Sequence, residues 1–456
     1  MQTRAIIVAA GVGKRMNSKK PKVLHEVCGI PMITRVINNV KQAGISDIYV
    51  VLGTSHEAVT EILPDDVKVV VQDEQLGTAH AVNQTAAELS EADGNTLIIN
   101  GDTPLISAST IEKLAADHEA SGLKATVLSA YAGNPENYGR VIRKENGTVK
   151  EILEETELTQ EQKEIKEVSA GAAIYNNQEL FKVLSKITND NPEEEYYLTD
   201  SVGLLSSKGA RVGAYVTDNN DEIINVDDRL LLARASEILR SRTNERLLKQ
   251  GVTIIDPKNT YIDESVKIGM DTIIYPNTVI KGNTVIGENA IISANCEIGN
   301  SLIGDNTEIK HSVLTDATVG SSTTVGPFAQ LRPGAKLGEA VKVGNFVEVK
   351  KSELKDGAKV SHLSYIGDAE IGERANIGCG AITVNYDGIN KFKTTVGQDA
   401  FIGCNTNLVA PVSVGDRSVT AAGSTVTDDV PNDSLAIARN RQTTKEEYYK
   451  KKYLED

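Results

Sequence analysis

Hydrophobic positions follow three different patterns along the chain. Up to about Asp228, short apolar runs rich in β-branched residues alternate with amphipathic stretches at helical spacing. The runs predict strands at Ala5–Ala9, Ile48–Leu52, Val67–Val71, Thr96–Ile99 and Ala125–Ala130, and helices at Met32–Ala43 and Ser109–Ala120. This alternation is typical of an α/β (Rossmann-like) sheet flanked by helices.

The second pattern covers residues 229–250. Leucine and isoleucine recur there at helical spacing among charged residues, and Gly251 follows as a C-cap. We interpret this segment as one connecting helix.

The third pattern is a six-residue repeat. Isoleucine recurs at 262, 268, 274, 280, 286, 292 and 298, often followed by a small residue. After changes of phase the repeat resumes at Val319, Val325, Leu337, Val343, Val349, Val360, Ile366, Ile371, Ile377, Val396, Ile402, Leu408, Val414, Thr420 and Val426. It predicts a triangular solenoid, in which each turn has three short strands with inward aliphatic side chains and small residues at the tight corners.

These patterns divide the chain into a domain at 1–228, a linker helix at 229–250 and a solenoid at 251–456 that ends in a tail. The polar run 383–395 breaks the repeat, so we predict a loop that leaves the coil and is suited to carry a site. The charged, tyrosine-rich tail 443–456 suggests no function.

Composition limits the possible partners. The 456 residues carry a net charge of -15, which argues against binding to nucleic acid or to an anionic membrane. The four cysteines are too dispersed for a zinc site or a disulfide scaffold, so we expect reduced thiols and a cytoplasmic protein. The first apolar run, Ala5–Ala10, is too short for a signal sequence or a membrane span.

A glycine loop follows the first predicted strand, in AAGVGKRM and then PKVLHEV. Its backbone N–H groups can approach a polyphosphate, while Lys14, Arg15 and Lys22 supply positive charge. The motif lacks the ending of a Walker loop and the third glycine of the dinucleotide fingerprint. An ordinary strand-to-helix turn with solvated lysines is the alternative.

Two further patches suggest nucleotide and metal binding. In QDEQLGTAHAV, the candidates for binding a planar base are Gln72, Gly77 and Thr78, and the alternative is a polar turn with a helix cap at Thr78. Asp102 follows a buried strand in NGDTPL, where a carboxylate can hold Mg²⁺ between phosphates. Asp227 is the candidate second ligand; Asp228 is its rival, and either could instead cap the linker helix.

The solenoid carries a second set of polar residues. Arg332 and Lys350 fall in neighbouring coils and could hold a sugar phosphate, although solvated surface charge is the alternative. His362, in VSHLSYIG, is the best candidate general base because imidazole titrates near neutral pH. Most histidines are structural, so this role needs support from the surroundings.

With these motifs, essentially the whole chain resembles the family of bacterial bifunctional N-acetylglucosamine-1-phosphate uridyltransferases and glucosamine-1-phosphate acetyltransferases. The motifs that carry the resemblance are GxGxRM, PKVLH, EQLGTAHA, the hexad array, RPG, GNFVEVK, HLSYIGD and NYDG. The resemblance implies a left-handed parallel β-helix, a homotrimer with acetyl-CoA bound between subunits, and the substrates UTP, glucosamine 1-phosphate, N-acetylglucosamine 1-phosphate and acetyl-CoA.

The resemblance also assigns roles to residues. It implies UTP and sugar binding by Ala9, Ala10, Gly11, Arg15, Lys22, Gln72, Gly77, Thr78, Gly139, Glu154 and Ser169, with Mg²⁺ on Asp102 and Asp227. It implies catalysis by Arg15 and Lys22 in the first domain and by His362 in the solenoid. It implies glucosamine 1-phosphate binding by Arg332, Lys350, Tyr365 and Asn376, and acetyl-CoA binding by Cys379, Asn385, Tyr386, Cys404, Ala422 and Arg439. The family often has asparagine at positions 169 and 227, and alanine and serine at the two cysteines.

Two other functions fit parts of the sequence. One is a single-activity nucleotidyltransferase whose solenoid is only structural, which the intact Arg332, His362 and Asn385 argue against. The other is a binding protein without activity, which Arg15, Lys22 and Asp102 together argue against.

Overall fold

The structure is a computed structural model that describes residues 2–54 and 56–454. The chain divides into two compact units between Leu239 and Arg240, and each unit has its own hydrophobic core. This division falls inside a helix, Arg229–Lys249. The domain boundaries at 228 and 250 stay predictions.

A mixed sheet forms the centre of the first unit. Among its described residues the sheet has nine strands: β1 (Thr3–Ala9), β2 (Ile48–Leu52), β3 (Lys68–Val71), β4 (Asn95–Asn100), β5 (Ala125–Tyr131), β6 (Arg140–Arg143), β7 (Val149–Leu153), β8 (Glu167–Asn176) and β9 (Val212–Val216). Their order is β9-β5-β8-β4-β1-β2-β3, with β8 antiparallel to β4 and β5. The hairpin of β6 and β7 branches from β8.

Helices cover the sheet, as the α/β pattern predicts. They are Met32–Gln42, Glu57–Thr60, Thr78–Asn83, Ala86–Leu89, Ala108–Ser121, Asn177–Leu184 and Asp200–Ser207. The five predicted strands and two predicted helices are confirmed within a few residues at each end. Because β1 and β4 are parallel neighbours, the residues that follow Ala9 and Asn100 emerge at the same edge of the sheet.

The second unit is a stack of short parallel strands. Three sheets of eleven, ten and nine strands account for its described coils, beginning at Thr253–Ile254, Tyr261–Ile262 and Lys267–Ile268. They end at Leu435–Ala436, Thr425–Val426 and Val412–Val414. Every aliphatic position of the predicted repeat is buried, as is Thr420, so the inward-facing register is confirmed. A short helix, Tyr448–Tyr453, follows the coils.

The small residues at the corners have a different role from the predicted one. At the corner after Ile286, Asn289 and not Gly287 takes the left-handed conformation, with φ of 53°. Gly269 allows the coils to stack, since a Cβ atom there would lie 2.6 Å from the carbonyl carbon of Gly287 in the next coil. Stacking distance, more than turn geometry, therefore requires this glycine.

The loop that leaves the coil is shorter than the predicted 383–395. Strands Ile382–Val384 and Thr394–Val396 include both of its ends, so only residues 385–393 leave the coil. Thr383 and Thr394 are buried, and their inward orientation explains why a polar run continues the strands.

Candidate functional site

The glycine loop lines an open cavity at the end of β1. Ala9, Ala10 and Gly11 contribute to its wall, and its volume is about 420 Å³. Lys19, Lys20 and His56 lie on the wall as well, although the sequence singled out none of them. This cavity combines backbone groups with positive charge, which suits a polyphosphate.

A cluster of four charged side chains joins the glycine loop to the sheet edge. Gly13 has φ of 68°, and a Cβ atom there would lie 2.6 Å from Cβ of Lys22, so the glycine lets Lys22 pack under the loop. The ammonium of Lys22 contacts the carboxylates of both Asp102 and Asp227. Arg15 also pairs with Asp227, at 3.0 Å.

Opposing effects act on Lys22. Burial by itself would lower the pKa of its ammonium, but the two carboxylates outweigh burial, and the pKa is raised. Oδ1 of Asp102 is buried and has no hydrogen-bond partner among the described residues. Lys22 is therefore held as a cation between two carboxylates, one of which keeps an oxygen free for another ligand.

The two adjacent aspartates have different surroundings. Oδ1 of Asp228 accepts a hydrogen bond from the backbone N–H of Leu231 at 2.8 Å, so Asp228 caps the helix Arg229–Lys249. Asp227 faces Lys22 and Arg15 instead. Of the two, only Asp227 lies in the charged cluster.

The predicted sugar-binding residues line a second cavity, which has a volume of about 270 Å³. Thr78, Gly139, Glu154 and Ser169 all line it. Six polar lining residues were not predicted: Asn100, Asn137, Glu195, Tyr197, Thr199 and Asn225. Oδ1 of Asn225 is buried and has no hydrogen-bond partner within the described chain.

The EQLGTAHA motif supports this cavity through contacts with residues 196–198. Gly77 precedes the helix Thr78–Asn83 and is its N-cap, so the alternative of a cap at Thr78 is wrong. The Thr78 hydroxyl instead accepts a hydrogen bond from the N–H of Leu198 at 2.9 Å. Gly77 packs against Tyr196, where a Cβ atom would lie 2.6 Å from the carbonyl oxygen. The motif thereby holds the segment that carries Tyr197 and Thr199.

Gln72 and Glu154 differ in their freedom to bind a ligand. The Gln72 side chain is 2% exposed, and its amide donates to the carbonyl of Gly77 at 3.2 Å, so it lines neither of the two cavities. Glu154 accepts a hydrogen bond from the Thr199 hydroxyl at 2.8 Å. Burial raises the pKa of the Glu154 carboxyl, and nearby Glu157 and Glu193 raise it further.

In the second unit, several predicted residues form one line along a corner of the β-helix. Asn345 and His362 are register partners in neighbouring coils. The pairings of Val360 with Ile377, Ile377 with Ile402, and Ile402 with Thr420 continue the register. Two positions after each of these core residues stand His362, Cys379, Cys404 and Ala422. We call Asn345, His362, Cys379, Cys404 and Ala422 the corner column.

Two details complete the corner column. Nδ1 of His362 lies 2.7 Å from Oδ1 of Asn345. Because an amide oxygen only accepts, Nδ1 is the donor and Nε2 keeps a lone pair for a proton. Arg439 lies beside the column, with its Cδ 3.7 Å from a Cβ atom built at Gly423.

A cationic cluster lies on the ten-stranded sheet of the β-helix. Arg332 and Lys350 occupy corresponding positions in neighbouring coils, since Leu331 pairs with Val349. Arg332 pairs with Glu348 at 2.7 Å, and Lys350, which is 9% exposed, pairs with Asp368 at 3.1 Å. Burial lowers the pKa of Lys350, but Asp368 more than offsets this, and the pKa is raised.

The loop that leaves the coil, residues 385–393, is called the excursion loop, and it reaches the same cluster. The Asn385 amide donates to Asp368, the partner of Lys350. The Tyr365 hydroxyl lies over Gly367, which is the register partner of Lys350. Asn376 lies within a strand of the eleven-stranded sheet and not at the corner. The Tyr386 hydroxyl donates to the carbonyl of Gly388 inside the loop at 2.6 Å. The sequence did not identify Asn345 or Asp368.

The fold is that of a nucleotidyltransferase domain followed by a hexapeptide-repeat transferase domain. A model of the MobA-like NTP transferase domain matches residues 5–172, and a bacterial transferase hexapeptide model matches residues 265–300. Relatives called bifunctional protein GlmU, from Staphylococcus epidermidis and Staphylococcus haemolyticus, are each 55% identical over 451 residues, covering 99% of this chain and 100% of theirs. The chain belongs to the GlmU family of bifunctional proteins. The fold class expected from the sequence, with its left-handed β-helix, is confirmed.

A solved structure of a putative glucose-1-phosphate thymidylyltransferase from Bacillus anthracis, with a sucrose, is a more distant match. It is 21% identical with a TM-score of 0.43, and the match covers 52% of this chain and 94% of that one. No helix in the described part of the chain is long and apolar enough to span a bilayer.

Proposed function

We propose that this chain makes UDP-N-acetylglucosamine, a precursor of the cell wall, in two reactions. The β-helix transfers acetyl from acetyl-CoA to glucosamine 1-phosphate, and the first unit then transfers uridylyl from UTP to the product, releasing pyrophosphate. The observation that carries the proposal is the 55% identity to bifunctional relatives over 99% of the chain, together with both sets of polar residues.

In acetyl transfer, His362 removes a proton from the amine of the sugar. The phosphate of glucosamine 1-phosphate binds at Arg332 and Lys350, and Tyr365 and Asn376 contact the sugar. Nε2 of His362 accepts the amine proton as the nitrogen attacks the thioester, and CoA leaves from a tetrahedral intermediate. The hydrogen bond from Nδ1 to Asn345 supports this tautomer.

Acetyl-CoA binds along the corner column and against the excursion loop. Cys379, Cys404 and Ala422 stand one coil apart along the column, which gives a long cofactor a continuous edge. Arg439 lies beside the column, and Asn385 and Tyr386 come from the loop. The column continues into His362, so the thioester of a molecule bound along it can reach the base.

In uridylyl transfer, the phosphate oxygen of N-acetylglucosamine 1-phosphate attacks the α-phosphate of UTP. The triphosphate binds at the loop Ala9–Gly11, and the sugar binds in the cavity of Gly139, Glu154 and Ser169. Arg15 and Lys22 offset the charge that develops on the phosphates. The side chain of Gln72 is buried and donates a hydrogen bond to the carbonyl of Gly77. Gln72 therefore stabilises the segment Gly77–Thr78, which is proposed to bind the base.

The residues of the charged cluster fit Mg²⁺. The unpartnered Oδ1 of Asp102 and the neighbouring carboxylate of Asp227 are hard oxygen donors, and two carboxylates plus phosphates are a usual ligand set for this ion. When bound there, Mg²⁺ would supply positive charge to the phosphates. Lys22 already provides one such charge at this place.

We also propose a cytoplasmic homotrimer. Phe328, Phe346 and Leu363 lie next to the corner column and are 57%, 56% and 58% exposed. The two phenylalanine rings stack at 5.5 Å, which gives a continuous apolar strip. Association of three β-helices would cover such a strip, and light scattering of the purified protein measures the number of chains.

The experiment that tests the function follows CoA and pyrophosphate separately. Purified protein receives glucosamine 1-phosphate, acetyl-CoA, UTP and Mg²⁺, and both products are expected. His362→Ala should stop CoA release, while pyrophosphate should still form when N-acetylglucosamine 1-phosphate is supplied. If the unaltered protein releases no CoA, and releases pyrophosphate only when N-acetylglucosamine 1-phosphate is supplied ready-made, the β-helix is a structural domain only.

A further inference from the structure

Two thiols face the solvent side by side in the corner column. Cys379 and Cys404 stand two positions after Ile377 and Ile402, which are register partners in neighbouring coils. The backbone N–H of Asn405 donates to the carbonyl of Cys379 at 2.7 Å, so the register continues through both corners. Cys379 is partly exposed and Cys404 is exposed.

The spacing of the coils suits a bond between these thiols. Neighbouring parallel strands lie about 4.8 Å apart, and the Cα atoms of bridged cysteines lie roughly 4.4–6.8 Å apart. Side chains in register run alongside each other, so the Cβ atoms also stay about one strand spacing apart, which is long for a disulfide. A bond there would form under strain and would be readily reduced.

We propose that Cys379 and Cys404 form a reversible oxidation site, which a hydroperoxide converts to a disulfide and which then closes the corner to acetyl-CoA. The proposed exclusion of acetyl-CoA by the disulfide rests on the proposed acetyl transfer, whereas formation of the disulfide itself does not. The other two cysteines have different environments: Cys296 is buried, with its pKa raised by burial, and Cys28 belongs to the first unit.

The chemistry has two steps. The thiolate of Cys404, the more exposed of the pair, attacks one oxygen of the hydroperoxide, the O–O bond breaks, and a sulfenic acid and an alcohol or water result. The thiolate of Cys379 then attacks that sulfur, the S–O bond breaks, and water leaves as the S–S bond forms. The two cysteines lose two electrons to the peroxide, and a dithiol returns them.

The bond would act on one reaction only. It ties two coils together where acetyl-CoA is proposed to lie, between the base His362 and Ala422. Because the first unit contains none of these residues, uridylyl transfer from ready-made N-acetylglucosamine 1-phosphate should not change. Oxidation would thus stop acetylation while leaving the second reaction intact.

The test treats the full-length reduced protein with hydrogen peroxide and maps its tryptic peptides. A cross-link between peptides 375–391 and 394–417 of the same chain is expected, with the loss of about 2 Da from the intact mass. Dithiothreitol should reverse it. Cys404→Ser and Cys379→Ser should each lack the cross-link, and the matched control Cys28→Ser, in the other unit, should keep it.

Activity is compared before and after oxidation within each variant, so that any direct effect of a substitution cancels. In the unaltered protein, CoA release should be lost on oxidation and regained on reduction, and pyrophosphate release should be constant. Sulfinic acid at Cys404 without a linked peptide, a link between different chains, or a linked protein with undiminished CoA release would each overturn the proposal. A different outcome is a protein that forms the disulfide on oxidation but releases no CoA in its reduced form either. That outcome would support the oxidation site and refute the proposed acetyl transfer.

Discussion

Replacing Asn345 tests the assignment of His362 as the base. The two residues are 17 positions apart and meet because consecutive coils place them in register. The Asn345 amide oxygen accepts the proton of Nδ1 at 2.7 Å, which orients the ring and leaves Nε2 as the acceptor. In Asn345→Ala the ring keeps its position in the chain but loses this restraint.

The size of the effect follows from one exposed hydrogen bond. Such a bond contributes about 0.5–1.5 kcal/mol, and if all of it serves to hold the reactive orientation, acetyl transfer slows roughly 2- to 13-fold. This is far less than the loss expected from His362→Ala, because the base itself is still present. KM for glucosamine 1-phosphate should change little, since Arg332 and Lys350, not Asn345, are proposed to hold the phosphate.

The assay is CoA release as a function of pH, with pyrophosphate release in the same sample as the control. In Asn345→Asp, a carboxylate beside Nδ1 favours the protonated ring. Since the base must be neutral to accept a proton, the acid limb of the pH–rate profile should move to higher pH. Unchanged rates in Asn345→Ala together with an unmoved limb in Asn345→Asp would refute the role given to His362.

Three further predictions concern the first unit. Asp227→Ala should abolish pyrophosphate release, whereas Asp228→Ala should keep it and cost only about 1 kcal/mol of helix-cap stability in thermal unfolding. Chelation by EDTA should stop pyrophosphate release but leave CoA release unchanged, as measured in parallel assays. Burial raises the pKa of Asp200 from 3.8 to about 6, so the folded state binds this proton more tightly, and stability is lost as pH rises through that window. Asp200→Asn should therefore raise the melting temperature more at about pH 7 than at about pH 4, and an equal rise at both would contradict the burial of this carboxyl.

The sequence predicts the fold in detail because both units have strong periodicities. The six-residue repeat identifies most inward positions from Ile262 onward, since mainly aliphatic side chains fill the narrow interior of the coil. The changes of phase hid five further inward residues, which are Ile303, Ile309, Leu314, Leu331 and Leu354. Its failures are local: Thr383 and Thr394 were assigned to a loop because they are polar, yet their hydroxyls are buried within strands. At Thr383 a threonine can replace an aliphatic residue because its hydroxyl donates to the carbonyl of Gly367 at 3.0 Å. Thr394 instead stands in register with Ala369, another small buried residue.

The sequence predicts the candidate site residues one by one, but not the contacts between them. The sequence marks Lys22, Asp102 and Asp227 as separate candidates, and nothing in their spacing shows that one ammonium contacts both carboxylates. Contacts between residues 80 and 205 positions apart depend on how the sheet edge and the helix start are packed. Pairing of Asn385 with Asp368 was missed for the same reason, because the excursion loop folds back by a path that has no period.

The corner column is an intermediate case, and it shows what a regular fold adds to a motif search. Once the inward residues are known, the positions two residues later must form a line, so the alignment of His362, Cys379 and Cys404 follows from the repeat alone. The extra residues of the excursion loop lie between Cys379 and Cys404 and leave the line unbroken, because they depart from a different corner of the same coil. A β-helix can therefore acquire a loop beside its site while the spacing of the residues along the site stays fixed by the stacking of the coils.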